Sequence, residues 1–428
     1  MKKNIFIFKV IDNELSKILH KYFEKVQIDT LTGNITFYKA VTMNMVIAEC
    51  YRFIESKSIA DELIYNNMKI IRKGLMENTL IGEMALFGGL TEVALSVYTV
   101  NKHTGNYEKF LEKINMLLTS KLLSKMDNLN KKIQSLEEVD YDVISGLSGV
   151  TSYLLLLGRY EEITKRALEL LVHICSYKNI NGNVIPNWHI HQKNLDIENR
   201  TNYPNGYINL GLAHGIAGPL VILSKAYKNG IIVKGQKEAI LNIINLYNKY
   251  SIRSEGYTYW PMILSFEEYL SEVKEKTNVR DGWCYGGIGI ARAIFIASNA
   301  LMDNKMQEWA YKIIEERAKM GIEEYNLISP TLCHGYAGVL SILANTIREK
   351  EESLLIKQRI DHIRKKIISM FDEASKYGFI DVELRMDDGK YILDKQDTYL
   401  FISGASGIIL ALLSLYHEST SLDTHLLI

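Results

Sequence analysis

The chain has 428 residues, of which 47% are hydrophobic and 10% aromatic, so it has enough apolar material for a sizeable core. Its 50 basic and 50 acidic residues give a net charge of zero, so the composition gives no support for binding to nucleic acid, which needs a basic surface. Only 5 prolines occur among many Leu, Ile, Lys and Glu residues, and this composition favours a helical protein.

Neither the start of the chain nor its longest apolar run has the features of an export signal or a membrane span. Residues 1–8 carry charges and lack an adequate apolar core, which argues against a secretory signal. Residues 401–416 form the longest apolar run, but glycines and serines interrupt it, and it is shorter than the roughly 20 residues of a spanning helix. We therefore expect a buried helix at residues 401–416 and a cytoplasmic protein.

A Gly-x-x-Gly turn followed at once by an apolar helix recurs along the chain. The strong copies begin at Gly146, Gly215, Gly286, Gly335 and Gly404. A degenerate copy begins at Gly89, with Glu92 in place of the second glycine, and a weaker one surrounds Gly33 and Asn34. From Gly89 onward the leading glycines are 49 to 71 residues apart, which leaves room for a helix pair and its loops in each interval.

The intervals contain two kinds of predicted helix. From Met306 to Ala318 apolar residues recur at helical spacing with charged residues opposite, which predicts an amphipathic helix that ends near Gly321. Residues 338–346 are apolar or small on nearly every side, which predicts a helix buried on all faces.

Inner and outer helices of these two kinds predict an all-α fold, a closed α/α toroid whose turns surround one end of the barrel. Glycine would let the inner helices approach closely and would allow a positive φ at each turn. An open solenoid of helix pairs is the competing architecture.

Two segments interrupt the repeat. Residues 121–140 are charged and are predicted to be a loop. Residues 176–207 are polar, rich in Asn and contain short strand-like pieces, which predicts an insertion on the barrel rim. Since no stretch has the composition of a linker, we predict one domain over residues 1–428 with 176–207 as an insertion within it.

Four cysteines in a chain of this length do not make a disulfide framework. Cys50 and Cys175 lie in apolar helical stretches, which predicts buried, inert thiols. Cys284 and Cys333 instead lie two residues before the leading glycine of a turn.

Imidazoles accompany these thiols at matching positions of the repeat. His334 follows Cys333 directly, and His214 also precedes a leading glycine. If the turns share one end of the barrel, Cys284, Cys333 and His334 form a three-ligand zinc set with a fourth position open for water or substrate. Each residue alone has a plainer interpretation, the cysteines as small core residues and the histidine as a hydrogen-bonding group at a helix start, but their recurrence favours zinc.

This ligand set indicates the kind of chemistry. Two thiolates and a neutral imidazole cancel the charge of the ion, so a bound water gains little acidity while a bound thiol stays an electron-rich nucleophile. Thiol alkylation therefore suits the set better than hydrolysis, although alcohol dehydrogenases use similar ligands.

Four other residues are candidates for proton transfer or charge balance. Adding a thiolate to a dehydroamino acid makes an enolate that must gain a proton, and His214 is suited to supply it near neutral pH. Asp142 either orients an imidazole, holds a basic group or caps a helix. Arg280 and Tyr285 flank the first cysteine motif, and Arg280 either balances an enolate oxygen or a substrate carbonyl, or is a solvated loop charge.

Four motifs carry a family resemblance, and they are Tyr141–Gly149, Asn209–Gly218, Arg280–Gly287 and Cys333–Gly338. In this order they resemble the lanthionine synthetase C-like family, specifically its nisin-type lantibiotic cyclases. The resemblance implies a double-layered α/α toroid of about seven helix pairs with a small β-containing insertion. Early repeats depart from the pattern at Glu92 and around Asn34, which affects the number of regular repeats more than the chemistry.

The resemblance also implies the site and its substrate. It implies one zinc ion per chain held by Cys284, Cys333 and His334, with His214 as proton donor or acceptor. It places Asp142, Arg280 and Tyr285 in the pocket. The substrate would be a ribosomally made precursor peptide, with leader and core, already dehydrated at Ser and Thr, whose Cys thiols close lanthionine or methyllanthionine rings. A dehydratase and an ABC transporter would be partners, and any membrane association would be peripheral, through them.

Two other function classes stay open at this stage. A toroidal glycosidase would use paired carboxylates and no thiolate-bound zinc, and Asp142 gives it weak support. A non-catalytic scaffold would bind zinc and the thiol peptide within a modification complex without consuming thiols.

Overall fold

The chain is mostly helical, as the composition predicts. A computed structural model describes Phe8 and residues 11–79, 84–180, 182–272, 280–350, 353–387 and 390–428. Residues 1–8, at the start of the chain, lie outside the described residues, apart from Phe8. No described helix is both long enough and apolar enough to cross a membrane.

The elements are numbered in chain order. The helices are α1 (Asn13–Leu31), α2 (Phe37–Cys50), α3 (Lys57–Met76), α4 (Leu90–Thr104), α5 (Glu108–Lys131), α6 (Glu138–Tyr141), α7 (Leu147–Leu157), α8 (Glu161–Ile174), α9 (Ile197–Asn202), α10 (Ala217–Lys228), α11 (Gln236–Lys249), α12 (Phe266–Ser271), α13 (Gly287–Leu301), α14 (Asn304–Lys319), α15 (Tyr336–Glu349), α16 (Leu354–Ser369), α17 (Ala405–Leu413) and α18 (Thr420–Leu426). The strands are β1 (Tyr177–Ile180), β2 (Asn183–Pro186), β3 (Tyr207–Asn209), β4 (Ile252–Ser254), β5 (Tyr257–Tyr259), β6 (Ile263–Ser265), β7 (Asp381–Asp387) and β8 (Lys390–Gln396). The strands form antiparallel pairs, namely β1–β2, β3–β6, β4–β5 and β7–β8.

The chain divides into two compact units. The first unit comprises residues 1–83, 88–115 and 327–423. In it, α2, α15 and α17 are buried on nearly every face, while α3 and α16 each bury one apolar stripe. Helix α2 packs against α3, α4 and α17, and α15 packs against α16 and α17. The all-round burial predicted for residues 338–346 is therefore confirmed.

The second unit comprises residues 84–87, 116–326 and 424–428. Helices α7, α10 and α13 are largely buried, and the amphipathic helices α8, α11 and α14 pack against them. Helix α14 buries Ala310, Ile313, Ile314 and Ala318, as predicted. It ends at Lys319 with Met320 as its cap. Gly321 has an ordinary φ of −58° and does not take the left-handed cap position.

The glycines of the repeat are required mainly by close packing within each turn. A Cβ on Gly335 would lie 2.5 Å from the amide nitrogen of Thr331, and one on Gly404 would lie 2.6 Å from that of Leu400. Each leading glycine therefore rests on the backbone of its own turn. Among the leading glycines of the five strong copies, all of them described, only Gly286 has a positive φ, at 125°. The predicted positive φ is thus correct at one turn and wrong as a general explanation.

The two interrupting segments differ from each other. Residues 121–140 are mostly helical, which corrects the loop prediction, since α5 extends to Lys131 with a buried apolar stripe along its length and α6 begins at Glu138; only residues 132–137 form a connection between helices. The charged residues between these apolar residues lie on the solvent-exposed face of α5. Because they are numerous, they obscure the apolar periodicity in the sequence. Residues 176–207 contain the β1–β2 hairpin and α9, so the expected strands are present. The single-domain boundaries remain a prediction.

Candidate active site

His214 and Asp142 form a close pair in the second unit. His214 lies in the turn before α10, and its Nδ1 is 2.6 Å from Oδ2 of Asp142, a fully buried carboxylate that follows α6. The other oxygen of Asp142 accepts hydrogen bonds from the amides of Ser145, at 2.8 Å, and Gly146, at 2.6 Å. One oxygen of Asp142 therefore orients the imidazole and the other holds the turn before α7, but the helix-cap interpretation is wrong, because the N-cap of α7 is Gly146.

Backbone hydrogen bonds join three of the repeat turns. The amide of Val143 donates to the carbonyl of Ala213 at 3.0 Å, and the amide of Leu212 donates to the carbonyl of Cys284 at 2.9 Å. Turns far apart in sequence are thereby fixed side by side. Within this unit the expectation that the turns converge is confirmed for Asp142, His214 and Cys284.

The surroundings of His214 favour its protonated form. Burial alone would lower the pKa of His214, but the hydrogen bond to Asp142 and the negative charges of Asp142, Glu138 and Cys284 outweigh it, so the pKa is raised above its ordinary value. An imidazole with a raised pKa and a fixed orientation is suited to deliver a proton near neutral pH.

Tyr285 is held by two residues that sequence reasoning missed. Its hydroxyl lies 3.0 Å from Nδ2 of Asn209, and the same amide nitrogen donates to Oε1 of Glu138 at 2.6 Å. The side-chain oxygen of Asn209 accepts from the amide of Gly211 at 2.9 Å. Burial raises the pKa of Glu138. Asn209 stands inside one of the four family motifs, which is the signal that could have singled it out.

Cys284 and Arg280 lie on the turn before α13. Cys284 is buried at 3% exposure, and Arg280 is half-buried. Asp281 fixes this turn, because its Oδ1 accepts from the amide of Ile288 at 2.9 Å and its Oδ2 forms an ion pair with the buried Arg317. The thiol therefore projects from a rigid support.

Cys333 and His334 lie on the turn before α15 in the first unit. The amide of Cys333 donates to the carbonyl of Ile402 at 3.1 Å, Cys333 is half-buried, and His334 is buried. Nε2 of His334 is 3.0 Å from Oδ1 of Asp381, the first residue of β7. Sequence reasoning missed Asp381. Burial would raise its pKa, but the hydrogen bonds from His334, Ser329 and Thr331 hold it below its ordinary value.

The other two cysteines behave as predicted. Cys50 and Cys175 are fully buried, and burial raises the pKa of both thiols. Neither is suited to nucleophilic chemistry, because the reactive form of a thiol is the thiolate.

The predicted zinc ligands are divided between the two units. Cys284 belongs to the second unit, and Cys333 and His334 belong to the first. Within the described ranges, no group of three or more His, Cys, Asp or Glu side chains poised to hold a metal ion is found. The ligand set therefore stays a prediction, whereas Asp142, His214, Cys284 and Tyr285 share one network of contacts.

Comparisons with known proteins agree with the motifs. The family model described as "Lanthionine synthetase C-like protein" matches residues 43–427. The nisin biosynthesis protein NisC of Lactococcus lactis subsp. lactis is 28% identical over 341 residues, which is 77% of each chain. The solved structure of a nisin cyclase superposes with a TM-score of 0.78 and 24% identity, covering 96% of both chains. The predicted α/α-toroid fold class is confirmed by this structural match.

Proposed function

This chain belongs to the lanthionine synthetase C-like family, and we propose that it is a zinc-dependent cyclase that closes thioether rings in a dehydrated precursor peptide. The reaction adds the S–H bond of a peptide Cys across the double bond of dehydroalanine or dehydrobutyrine. The observation that carries the proposal is the His214–Asp142 pair on turns fixed beside Cys284.

The donor set fits a zinc ion. Cys284 and Cys333 occupy the same position of the repeat, two residues before a leading glycine, and His334 completes a thiolate–thiolate–imidazole set that is known for zinc with an open position. When bound, the ion would favour the thiolate form of the substrate Cys without taking away its electron density. The three residues would hold it.

His214 acts on the other half of the reaction. As the S–C bond forms at the β-carbon, the electron pair of the double bond moves to the carbonyl oxygen and gives an enolate. His214 then delivers a proton to the α-carbon, while the proton of the thiol leaves to solvent. Asp142 holds Nδ1 of His214, so Nε2 is the nitrogen that transfers the proton.

Arg280 and Tyr285 assist in the same pocket. Asn209 fixes the Tyr285 hydroxyl, which can donate to a substrate carbonyl as charge develops on its oxygen. The guanidinium of Arg280, half-buried on the Cys284 turn, balances the enolate oxygen. The precursor peptide is the substrate, and a dehydratase and an ABC transporter are its proposed partners, since the peptide must be dehydrated first and exported afterwards.

The experiment combines metal analysis with a thiol-consumption assay on a dehydrated Cys-containing peptide. We expect one zinc ion per chain, thiol consumption without change in peptide mass, and loss of activity after zinc is removed. A protein that binds the peptide but never consumes its thiols would instead be a scaffold, and the proposed function would be wrong.

The His214→Ala variant tests the proton donor. General acid catalysis is worth about 10²- to 10⁴-fold, so we expect kcat to fall by that factor while zinc content and the thermal unfolding midpoint stay close to those of the wild type. His189→Ala is the matched control, because this histidine contacts Asn205 and Phe266 rather than the Asp142 network. Unchanged ring closure in His214→Ala would remove His214 from the mechanism.

A further inference from the structure

The buried carboxylate of Asp381 contacts one ring nitrogen of His334. Oδ1 of Asp381 lies 3.0 Å from Nε2 of His334, and both side chains are buried, at 6% and 7% exposure. A neutral imidazole carries a proton on one nitrogen and a lone pair on the other. A carboxylate can only accept, so it selects the form of His334 that carries its proton on Nε2.

Two hydroxyl groups fix the position of the same carboxylate oxygen. Ser329 donates its hydroxyl to Oδ1 of Asp381 at 2.6 Å, and Thr331 donates to it at 3.2 Å. Thr331 and Ser329 belong to the segment on which Gly335 packs, so the support and the supported turn form one rigid piece. With three donors on one oxygen, Asp381 has little freedom to turn away from His334.

We infer that Asp381 is a positioning residue for zinc binding, which presents Nδ1 of His334 as the ligand nitrogen through the contact at Nε2. This inference rests on the proposed zinc site. Histidines that bind metals usually donate their second ring N–H to a carboxylate or carbonyl, and loss of that partner weakens metal affinity about 10- to 100-fold. Asp381 itself would not touch the ion or the substrate.

The test measures zinc affinity by competition with a chelator in the full-length wild type and in Asp381→Asn and Asp381→Ala. Asn keeps the shape and an accepting oxygen but removes the charge, so we expect a loss of about 10-fold, and up to about 100-fold in Asp381→Ala. Asp394→Asn is the matched control, because it removes a carboxylate from the same β7–β8 hairpin, where Asp394 contacts Arg385. We expect its zinc affinity to equal that of the wild type.

A cobalt-substituted form separates positioning from general damage to the fold. If Asp381 orients His334, the visible absorption bands of bound Co²⁺ should shift in the Asp381 variants and not in Asp394→Asn. Circular dichroism of the metal-free proteins reports the fold independently.

Nitrogen-15 chemical shifts of the His334 ring show which ring nitrogen carries the proton and which one binds the metal. This measurement uses the wild type alone. We expect the proton on Nε2 without metal and coordination at Nδ1 after zinc is added. Zinc affinity unchanged in Asp381→Ala, or coordination through Nε2, would overturn the inference. A wild type that binds no zinc would instead overturn the proposed zinc dependence, so the two failures are distinguishable.

Discussion

At the scale of single residues, Asp142 serves two functions with its two oxygens. One accepts from the amides of Ser145 and Gly146 and so fixes the turn before α7, and the other binds Nδ1 of His214. A change at this position therefore affects both the turn and the imidazole. The side-chain oxygen of Asn can also accept from these two amides, so Asp142→Asn leaves the first function in place and alters the second.

For Asp142→Asn we expect lower activity with a changed pH profile. The carboxylate raises the pKa of His214, and a proton donor works only below its pKa. Removing the charge lowers that pKa, so the decline of kcat/KM with rising pH should move to lower pH. The measurement is kcat/KM against pH for both proteins, with unfolding in urea as a check on stability. A profile that keeps the wild-type midpoint would contradict the assigned pairing.

The buried carboxyl group of Glu92 makes the stability of the fold depend on pH. It is buried in the first turn of α4 at the place of a repeat glycine, and its Oε2 accepts from the amide of Gly88 at 2.6 Å. Burial raises its pKa from 4.5 to about 7. Because the folded chain binds this proton more tightly than the unfolded chain, the resulting stability is complete below about pH 4.5 and is lost as the pH rises through about 7.

The Glu92→Gln variant should therefore gain stability relative to the wild type above pH 7. The expected gain approaches about 3 kcal/mol at pH 8 to 9, since one pKa unit corresponds to about 1.4 kcal/mol, and it disappears near pH 4.5. Gln keeps an oxygen that can accept from Gly88. Urea unfolding at several pH values measures the difference, and a gain that does not depend on pH would show that Glu92 is not buried as a neutral acid.

At the scale of the elements, the turns are built with almost no free space. A Cβ on Gly211 would lie 2.5 Å from Cε1 of Tyr285 and 2.8 Å from the carbonyl oxygen of Cys284. We expect Gly211→Ala to displace both residues, to reduce ring closure strongly and to destabilise the fold by about 1 to 3 kcal/mol.

Activity and urea unfolding measure the two effects of Gly211→Ala. Gly321→Ala is the matched control, because its Cβ would meet only the end of the Glu324 side chain and its φ is ordinary. Full activity in Gly211→Ala would mean that the position of Tyr285 matters little.

Helix α5 contributes a buried apolar stripe whose effect on stability can be measured. Leu118, Leu122, Met126 and Leu129 are buried at helical spacing inside a segment for which the many charges predict a loop. Leu122→Ala should lower the free energy of unfolding by about 2 to 5 kcal/mol, whereas Lys121→Ala, at an exposed position, should change it by less than about 0.5 kcal/mol. Equal effects of the two changes would contradict the helix.

At the scale of the whole molecule, the repeat explains what the sequence could and could not predict. The turns carry a visible signal, Gly-x-x-Gly, so His214, Cys284 and the helices after them could be placed in advance. Asp381 begins a strand with no repeat signal, and its partnership with His334 depends on a contact across 47 residues. Glu138 likewise lies before the first motif. Residues such as these contact the site only through tertiary packing, so a single sequence contains no repeated motif from which they could be predicted.

The last residues of the chain carry a practical consequence. The carbonyl of Leu426 accepts the indole N–H of Trp283 at 2.8 Å, and Trp283 is the buried neighbour of Cys284. A fragment excised as residues 116–326 would therefore leave that N–H buried without an acceptor, at about 1 to 3 kcal/mol. Both compact units are made of segments that are separate in sequence, so neither can be expressed as one continuous fragment. A protein made from residues 116–326 would need residues 424–428 as an added peptide to restore the acceptor for Trp283.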